Sequence, residues 1–131
     1  MKPRFRDVAL AASTESASGI ACSFQCSARV RIENNHVATH LYRIAQEAVT
    51  NALRYADAQL IVIELAAHSS ELRLSIRDNG IGLLSEGDTE GFGLRIMKYR
   101  AGLMGGSLCI QAEPNEGTQV TCTLPFNDRV D

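Results

Sequence analysis

The sequence predicts an α+β fold: a two-layer α/β sandwich with helices on one face of a mixed, mostly antiparallel sheet. Three observations lead to this prediction. Residues 37–56 repeat apolar side chains at helical spacing, while residues 59–77 and residues 107–125 each contain two strand-like segments joined by a short turn. Each element is apolar on one side only, so the helices and the sheet must bury those sides against each other.

The whole chain is interpreted as one domain, residues 1–131, with a core at 20–125. Its 131 residues are enough to enclose a core, and the balance of 45% hydrophobic and 21% charged residues is that of an ordinary globular domain. A short helix is predicted at about 5–17. It is indicated by apolar residues at helical spacing and a glycine after them, namely Phe5, Val8, Ala9, Ala12 and Gly19.

The remaining elements alternate between extended and helical patterns. The strongest helix has Asn35 as its candidate N-cap, because asparagine side chains accept hydrogen bonds from the first helical amides. The last helix is ended by the pair Gly105-Gly106. In chain order we expect an extended segment at 20–32, the helix at 37–56, strands at 59–65 and 71–77, a helix at about 94–104, and strands at 107–113 and 118–125.

Charge and hydropathy exclude several function classes. The formal net charge is -2 and no cluster of Lys and Arg forms, which disfavours a nucleic-acid partner. No apolar run approaches the roughly 20 residues that cross a bilayer, and the N-terminus lacks the apolar core of a signal peptide. We therefore expect a cytoplasmic domain, and we leave open a membrane anchor elsewhere in the full-length protein.

Four residues have an order close to that of a zinc finger. Cys22, Cys26, His36 and His40 read C-x3-C-x9-H-x3-H, but the middle spacing is shorter than usual and "IACSFQCSARVRI" alternates like a strand. Strand thiols and unrelated histidines are the favoured interpretation. Without an export signal the cysteines are expected to be reduced.

The helix at 37–56 carries a second, polar face. Glu47 and Asn51 are four residues apart and therefore neighbours on the helix surface. A carboxylate beside a carboxamide offers the oxygen ligands that Mg²⁺ prefers, and Arg54, near the next turn, can meet a phosphate. Taken alone, this face is more typical of a solvated helix, because polar stripes are the rule on surface helices.

Two glycine-containing segments lie in the second half of the chain. In "RDNGIG", Asp78 ends a strand and can accept a hydrogen bond from an exocyclic amine such as that of adenine, while Gly80 and Gly82 leave room for a purine and permit positive φ. In "GFGL", Gly91 and Gly93 precede a helix whose first amides can bind phosphate oxygens. A plain turn and a glycine-rich loop are the alternatives.

The four segments "EAVTN", "DNGIG", "GFGL" and "GTQVTCTLP", in that order, resemble the GHKL ATPase superfamily, which includes histidine kinases, DNA gyrase, heat-shock ATPase chaperones and mismatch-repair ATPases. Two longer segments, "LYRIAQEAVTNALRYADA" and "GFGLRIMKYRAGLMGGSL", are most similar in sequence to the catalytic ATP-binding domain of sensor histidine kinases. The branch they resemble is that of the nitrate/nitrite sensors. The resemblance covers about 37–125 and implies a Bergerat-type ATP-binding fold.

At the phosphate end, the resemblance implies ATP and Mg²⁺ as ligands. Asn51 and Glu47 would serve the metal, with Glu47 either orienting a metal-bound water or acting as the catalytic base. Arg54 would neutralise phosphate charge. The backbone that closes on the phosphates would belong to Gly91, Gly93 and Leu94.

At the adenine end, the resemblance implies that Asp78 recognises the adenine amine and that Gly80 and Gly82 form the pocket floor. Thr118 would support the base through its hydroxyl or a water, on the same strand face as Val120. The loop 83–92 would be the ATP lid.

The implied function is transfer of the ATP γ-phosphoryl group to a histidine on a dimerisation hairpin that is absent from this chain. The onward partner would be a response regulator with a helix-turn-helix output domain. None of the three histidines lies on such a hairpin pattern, so the chain is expected to bind ATP·Mg²⁺ without phosphorylating itself. An anti-sigma-factor serine kinase of the same fold is the main alternative, and a binding module without catalysis is another.

Overall fold

The computed structural model describes residues 7–26, 32–82, 93–113 and 115–126. Within these ranges the chain alternates between helices and strands, as predicted. The elements are α1 (Asp7–Ser18), β1 (Ala21–Cys26), α2 (Asn35–Arg54), β2 (Leu60–His68), β3 (Glu71–Asp78), α3 (Leu94–Leu103), β4 (Ser107–Glu113) and β5 (Gly117–Pro125).

The strands form a sheet in the order β1-β2-β3-β5-β4. β1 and β2 pair in parallel, and the other three pairings are antiparallel. A parallel pair needs a long crossover connection, and α2 lies in the chain between β1 and β2. The predicted mixed, mostly antiparallel sheet is confirmed.

The core lies between the helices and one face of the sheet. Alternate residues of the central strands are buried, including Ile61 and Ile63 on β2 and Leu72 and Leu74 on β3, as the period of two along a strand requires. The predicted apolar stripe of the long helix is buried against them. Its members are Leu41, Ile44, Ala45, Ala48, Val49, Ala52 and Ala56.

The ends of α2 differ from the prediction. Asn34, not Asn35, is the N-cap: its backbone is extended, and its side-chain oxygen accepts hydrogen bonds from the amides of His36 at 2.8 Å and Val37 at 3.2 Å. The helix ends at Arg54, two residues earlier than predicted. Tyr55 is the C-cap, with φ of -119°, and its amide donates to the carbonyl of Asn51.

Other boundaries shift by a few residues. β2 continues to His68, which pairs with Glu71, so the first hairpin turn contains only Ser69 and Ser70 rather than the five residues predicted. Ser69 has φ of 57°, as tight hairpin turns require. Of the predicted extended segment 20–32, residues 27–31 lie outside the described residues, and Ile32 is not part of a strand.

The zinc alternative does not fit the fold. Cys22 and Cys26 lie on β1, and four strand residues span about 13 Å, farther than two cysteines can reach to share one ion with bonds of about 2.3 Å. In the described parts of the chain, no group of three His, Cys, Asp or Glu residues could hold a metal ion. Nor does any helix in those parts combine the length and apolar character of a membrane span.

Candidate functional site

Asp78 ends β3 and is only 8% exposed. Its Oδ1 accepts a hydrogen bond from the amide of Gly80 at 2.8 Å, and the backbone of Thr118 also hydrogen-bonds to the carboxylate. Burial raises the pKa of Asp78, and the two amides oppose this shift without cancelling it. The structure therefore holds a desolvated carboxylate in a defined orientation, with acceptor capacity beyond the two amides.

The loop after Asp78 is clamped from two sides. A β-carbon on Gly80 would overlap the carbonyl oxygen of Ala56, just beyond α2, and that oxygen accepts a hydrogen bond from the amide of Ile81 at 2.9 Å. On the other side, the amide of Asn115 donates to the carbonyl of Ile81 at 2.7 Å. Gly82 has the predicted positive φ, 82°. Gly80 is not among the positive-φ residues, so it is required for space rather than for its backbone conformation.

Asn79 is a positioning residue that the sequence interpretation missed. Its Oδ1 accepts hydrogen bonds from the amides of Gln59 and Leu60, both at 2.9 Å, and its own amide donates to the carbonyl of Leu60 at 3.2 Å. These bonds tie the end of β3 to the start of β2. The available signal was the Asp-Asn-Gly sequence itself, because an asparagine in a turn is prone to bond to nearby backbone groups.

Glu47 and Gly93 meet where α2 approaches the start of α3. Gly93 is the N-cap of α3, has φ of 71° and makes no side-chain cap. A β-carbon on Gly93 would lie 2.5 to 3.0 Å from three atoms of the Glu47 side chain. The carboxylate of Glu47 thus lies beside the positive end of the α3 dipole. Leu94, the first residue of α3, is buried.

Asn51 and Arg54 lie on the same face of α2 as Glu47. Asn51 is one turn, or about 6 Å along the axis, from Glu47 and is 5% exposed, so a carboxamide is buried on the polar face of this helix. The backbone carbonyl of Asn51 accepts hydrogen bonds from the amides of Tyr55 at 2.9 Å and Ala56 at 3.3 Å. Arg54, in the last turn of the helix, is exposed.

Two cavities adjoin these groups. One, of about 290 Å³, is lined by Glu47 together with Arg43 and Arg100. The other, of about 580 Å³, is lined by Asp78 and Thr118. Gly91 and the predicted ATP lid at 83–92 lie outside the described residues. The described residues thus form one group around Asp78, which Ala56 contacts just beyond α2, and a second around Glu47 on α2 itself.

Residues 36–128 match the family of histidine kinase-, DNA gyrase B- and HSP90-like ATPases. The chain belongs to this family. The match confirms the predicted GHKL resemblance, and it covers every residue that the sequence interpretation assigned to the site. This ATPase domain is therefore an ATP-binding catalytic domain of the kind that two-component sensor histidine kinases contain.

Two curated relatives support this placement. The domain is 31% identical to the oxygen sensor histidine kinase NreB of Staphylococcus carnosus over 84% of this chain and 32% of that protein. It is 32% identical to the nitrate/nitrite sensor protein NarX of Escherichia coli K12 over 72% of this chain and 16% of that protein. The chain thus spans a third or less of the length of these relatives.

The fold itself is shared with a solved kinase domain. The histidine kinase domain of the blue-light activated histidine kinase EL346 of Erythrobacter litoralis superposes with a TM-score of 0.77 at 22% identity, covering 90% of this chain and 58% of that one. At that identity the likeness shows the architecture alone. The predicted α+β fold of the GHKL type is confirmed.

Proposed function

We propose that this domain binds ATP with Mg²⁺ and presents the γ-phosphoryl group to a histidine on a dimerisation hairpin of the same full-length protein. The observation that carries the proposal is the buried, doubly hydrogen-bonded carboxylate of Asp78, on a loop that Gly80 allows to pack directly against the main chain of Ala56. In a domain of this ATPase family, such an acceptor suits the exocyclic amine of adenine.

The adenine end is argued from acceptor capacity. An ionised carboxylate has about four acceptor positions. Asp78 uses two of them for the amides of Gly80 and Thr118, and the others can accept hydrogen bonds from a ligand. A hydrogen bond to an ionised group in a poorly solvated site is stronger than one in water. Gly80 and Gly82 form the floor, and Thr118 supports the base from β5.

The metal end is argued from the donor set. Asn51 and Glu47 supply one carboxamide and one carboxylate a single helical turn apart. Mg²⁺ commonly takes only one or two protein ligands and completes its shell with waters and substrate phosphates, so these two residues fit it. When bound, the ion would neutralise charge on the phosphoryl oxygens. Glu47 orients a water there or acts as the base.

The phosphate end uses backbone groups and one cation. The amides of Gly93 and Leu94 stand at the start of α3, where the helix dipole favours an anion. Arg54 is exposed on the same helix face as Asn51. Its long side chain can extend toward a bound phosphate. Gly91 and the lid at 83–92 remain predictions from the family resemblance.

The acceptor histidine is assigned outside this sequence. His36 lies in the first turn of α2, and His68 is the last residue of β2. His40 is half-buried, with Nδ1 3.1 Å from Nη1 of Arg100, and burial together with that guanidinium lowers its pKa. The proposed onward partner is a response regulator with a helix-turn-helix output domain, and the proposed location of this domain is the cytoplasm.

Phosphotransfer to two acceptors tests the proposal. The domain is mixed with γ-labelled ATP·Mg²⁺ and either a two-helix hairpin bearing the acceptor histidine of a related sensor kinase or a Ser-bearing antagonist protein of an anti-sigma-factor kinase. We expect acid-labile label on the hairpin, which is lost when Asp78→Asn replaces the wild type. Acid-stable label on the serine protein alone would establish the alternative kinase, and no nucleotide binding at all would overturn both.

A further inference from the structure

The turn between β4 and β5 meets the Asp78 loop at three points. The amide of Asn115 donates to the carbonyl of Ile81 at 2.7 Å. The backbone of Thr118 hydrogen-bonds to the Asp78 carboxylate. Between them, a β-carbon on Gly117 would overlap the carbonyl oxygen of Asp78 and lie 3.1 Å from Cα of Asn79. The turn and the loop are therefore in backbone-to-backbone contact.

The close approach of Gly117 to the main chain of Asp78 affects the orientation of the Asp78 carboxylate. The amide of Gly80, on the same loop as Asp78, engages Oδ1. The second amide, that of Thr118, belongs to a different strand, so it reaches the carboxylate only if the two main chains stay close. Gly117 is the residue that permits that distance, because any side chain there would push the turn away from Asp78.

Asn115 maintains the same contact from the other end of the turn. It has a left-handed backbone, with φ of 64°, a conformation that asparagine tolerates better than most residues. In that conformation its amide points to Ile81. Residues 115 and 117 thus fix the turn on both sides of the loop that carries the carboxylate.

We propose that Asn115 and Gly117 are positioning residues that aim the Asp78 carboxylate and thereby set the preference of the site for 6-aminopurine nucleotides. The inference rests on the proposed function, since it assumes that Asp78 receives the adenine amine. Neither residue touches the nucleotide in this account. They act through the orientation of Asp78 and the amide of Thr118.

The chain supplies a matched control for the glycine. Gly105 also has a left-handed backbone, with φ of 76°, but no heavy atom lies within 4 Å of its would-be β-carbon. Gly105→Ala therefore places a side chain at a positive φ, as Gly117→Ala does at φ of 103°, but without the overlap at Asp78. Comparing the two variants separates the effect of the overlap from the general effect of an alanine at positive φ.

The test compares the affinities for ATP and ITP, whose base carries a carbonyl in place of the amine. We expect the wild type to prefer ATP by roughly tenfold or more, the size of a hydrogen bond to an ionised group. Gly117→Ala is expected to lose most of this preference by weakening ATP rather than ITP, and Gly105→Ala is expected to keep it. Calorimetry of each folded variant supplies the affinities.

Asn115→Ala keeps the amide but disfavours the left-handed backbone, so it tests the same contact if Gly117→Ala does not fold. It should lower the ATP-to-ITP ratio by a smaller factor. If Asp78→Asn removes the preference while Gly117→Ala and Asn115→Ala behave like Gly105→Ala, the positioning role is overturned and the proposed function stands. If the wild type binds ATP and ITP equally and Asp78→Asn changes nothing, both fail.

Discussion

The main chain of Gly80 lies against the carbonyl oxygen of Ala56, two residues beyond the end of α2. The same oxygen accepts the amide of Ile81 at 2.9 Å, so the contact is reinforced by a hydrogen bond. The long helix that carries the proposed metal ligands is thereby joined to the loop that carries the proposed adenine acceptor. Movement of either one would displace the other.

Replacing Gly80 by alanine tests this junction. Gly80→Ala forces a β-carbon into the backbone of Ala56, and overpacking of this kind costs about 1–3 kcal/mol of unfolding free energy. Gly102→Ala is the control, because Gly102 lies on α3 with nothing within 4 Å and alanine should stabilise the helix by about 0.5–1 kcal/mol. Urea denaturation measures both. Equal stability of the two variants would show that Gly80 and Ala56 are not in contact.

The reactivity of the cysteines tests the fold without reference to nucleotides. Burial raises the pKa of the thiols of Cys22 and Cys122 to about 11, with the Glu15 carboxylate adding to the shift at Cys22. Since only the thiolate attacks thiol reagents, both should stay unlabelled at pH 8 until urea unfolds the chain. Exposed Cys109 should react first, and Cys109→Ser should remove that fast phase. Rapid labelling of all four thiols in the folded protein would contradict the core.

The metal role of Asn51 predicts a change in Mg²⁺ dependence. Asn51→Ala should lower the affinity for ATP in the presence of Mg²⁺ to the value found with a chelator, because the carboxamide ligand is lost. The affinity without metal should change little. Thr39→Ala, an exposed position on the same helix, serves as the control. Fluorescent-nucleotide titrations with and without Mg²⁺ give both values, and an unchanged Mg²⁺ effect in Asn51→Ala would remove this assignment.

The raised pKa of Asp78 predicts how stability depends on pH. The carboxyl of Asp78 holds its proton more tightly in the folded protein than in the unfolded chain, because its folded pKa is raised. At pH values above the folded pKa, the ionised carboxylate therefore lowers the free energy of unfolding. This loss disappears as the pH falls through the folded pKa toward the ordinary pKa of an aspartate in the unfolded chain. Asp78→Asn is neutral throughout. It should therefore be at least as stable as the wild type at pH 7, by a margin that shrinks on acidification. Urea unfolding at several pH values checks this, and a margin that grows toward acid would contradict it.

Periodicity made the layers predictable, whereas the boundaries depended on individual backbone angles. Apolar spacing placed Leu41 and Ile44 on the buried side of α2 because burial follows the helical repeat. The sequence predicts the N-cap of α2 one residue late because Asn34 and Asn35 have the same side chain. Only the extended backbone of Asn34 decides which one caps the helix.

The candidate site was predictable where its chemistry lies within one segment. Asp78 and Gly80 could be found because a carboxylate and a glycine follow a strand pattern. The sequence could not predict two contacts of the loop, that of Gly117 with Asp78 and that of Ala56 with Gly80. These contacts join segments far apart in the chain and depend on how the elements pack. The amide of Thr118 at the carboxylate is likewise a consequence of the β3–β5 pairing, although the residue itself was singled out.

Calorimetric titration of ATP·Mg²⁺ into the wild type and into Asp78→Asn tests the central claim most directly. The account predicts saturable binding to the wild type and binding weaker by about tenfold or more in the variant, the effect of removing an ionised hydrogen-bond acceptor, with both proteins equally folded by circular dichroism. Equal affinity in two folded proteins would contradict it, because the buried carboxylate would then have no part in recognising the nucleotide.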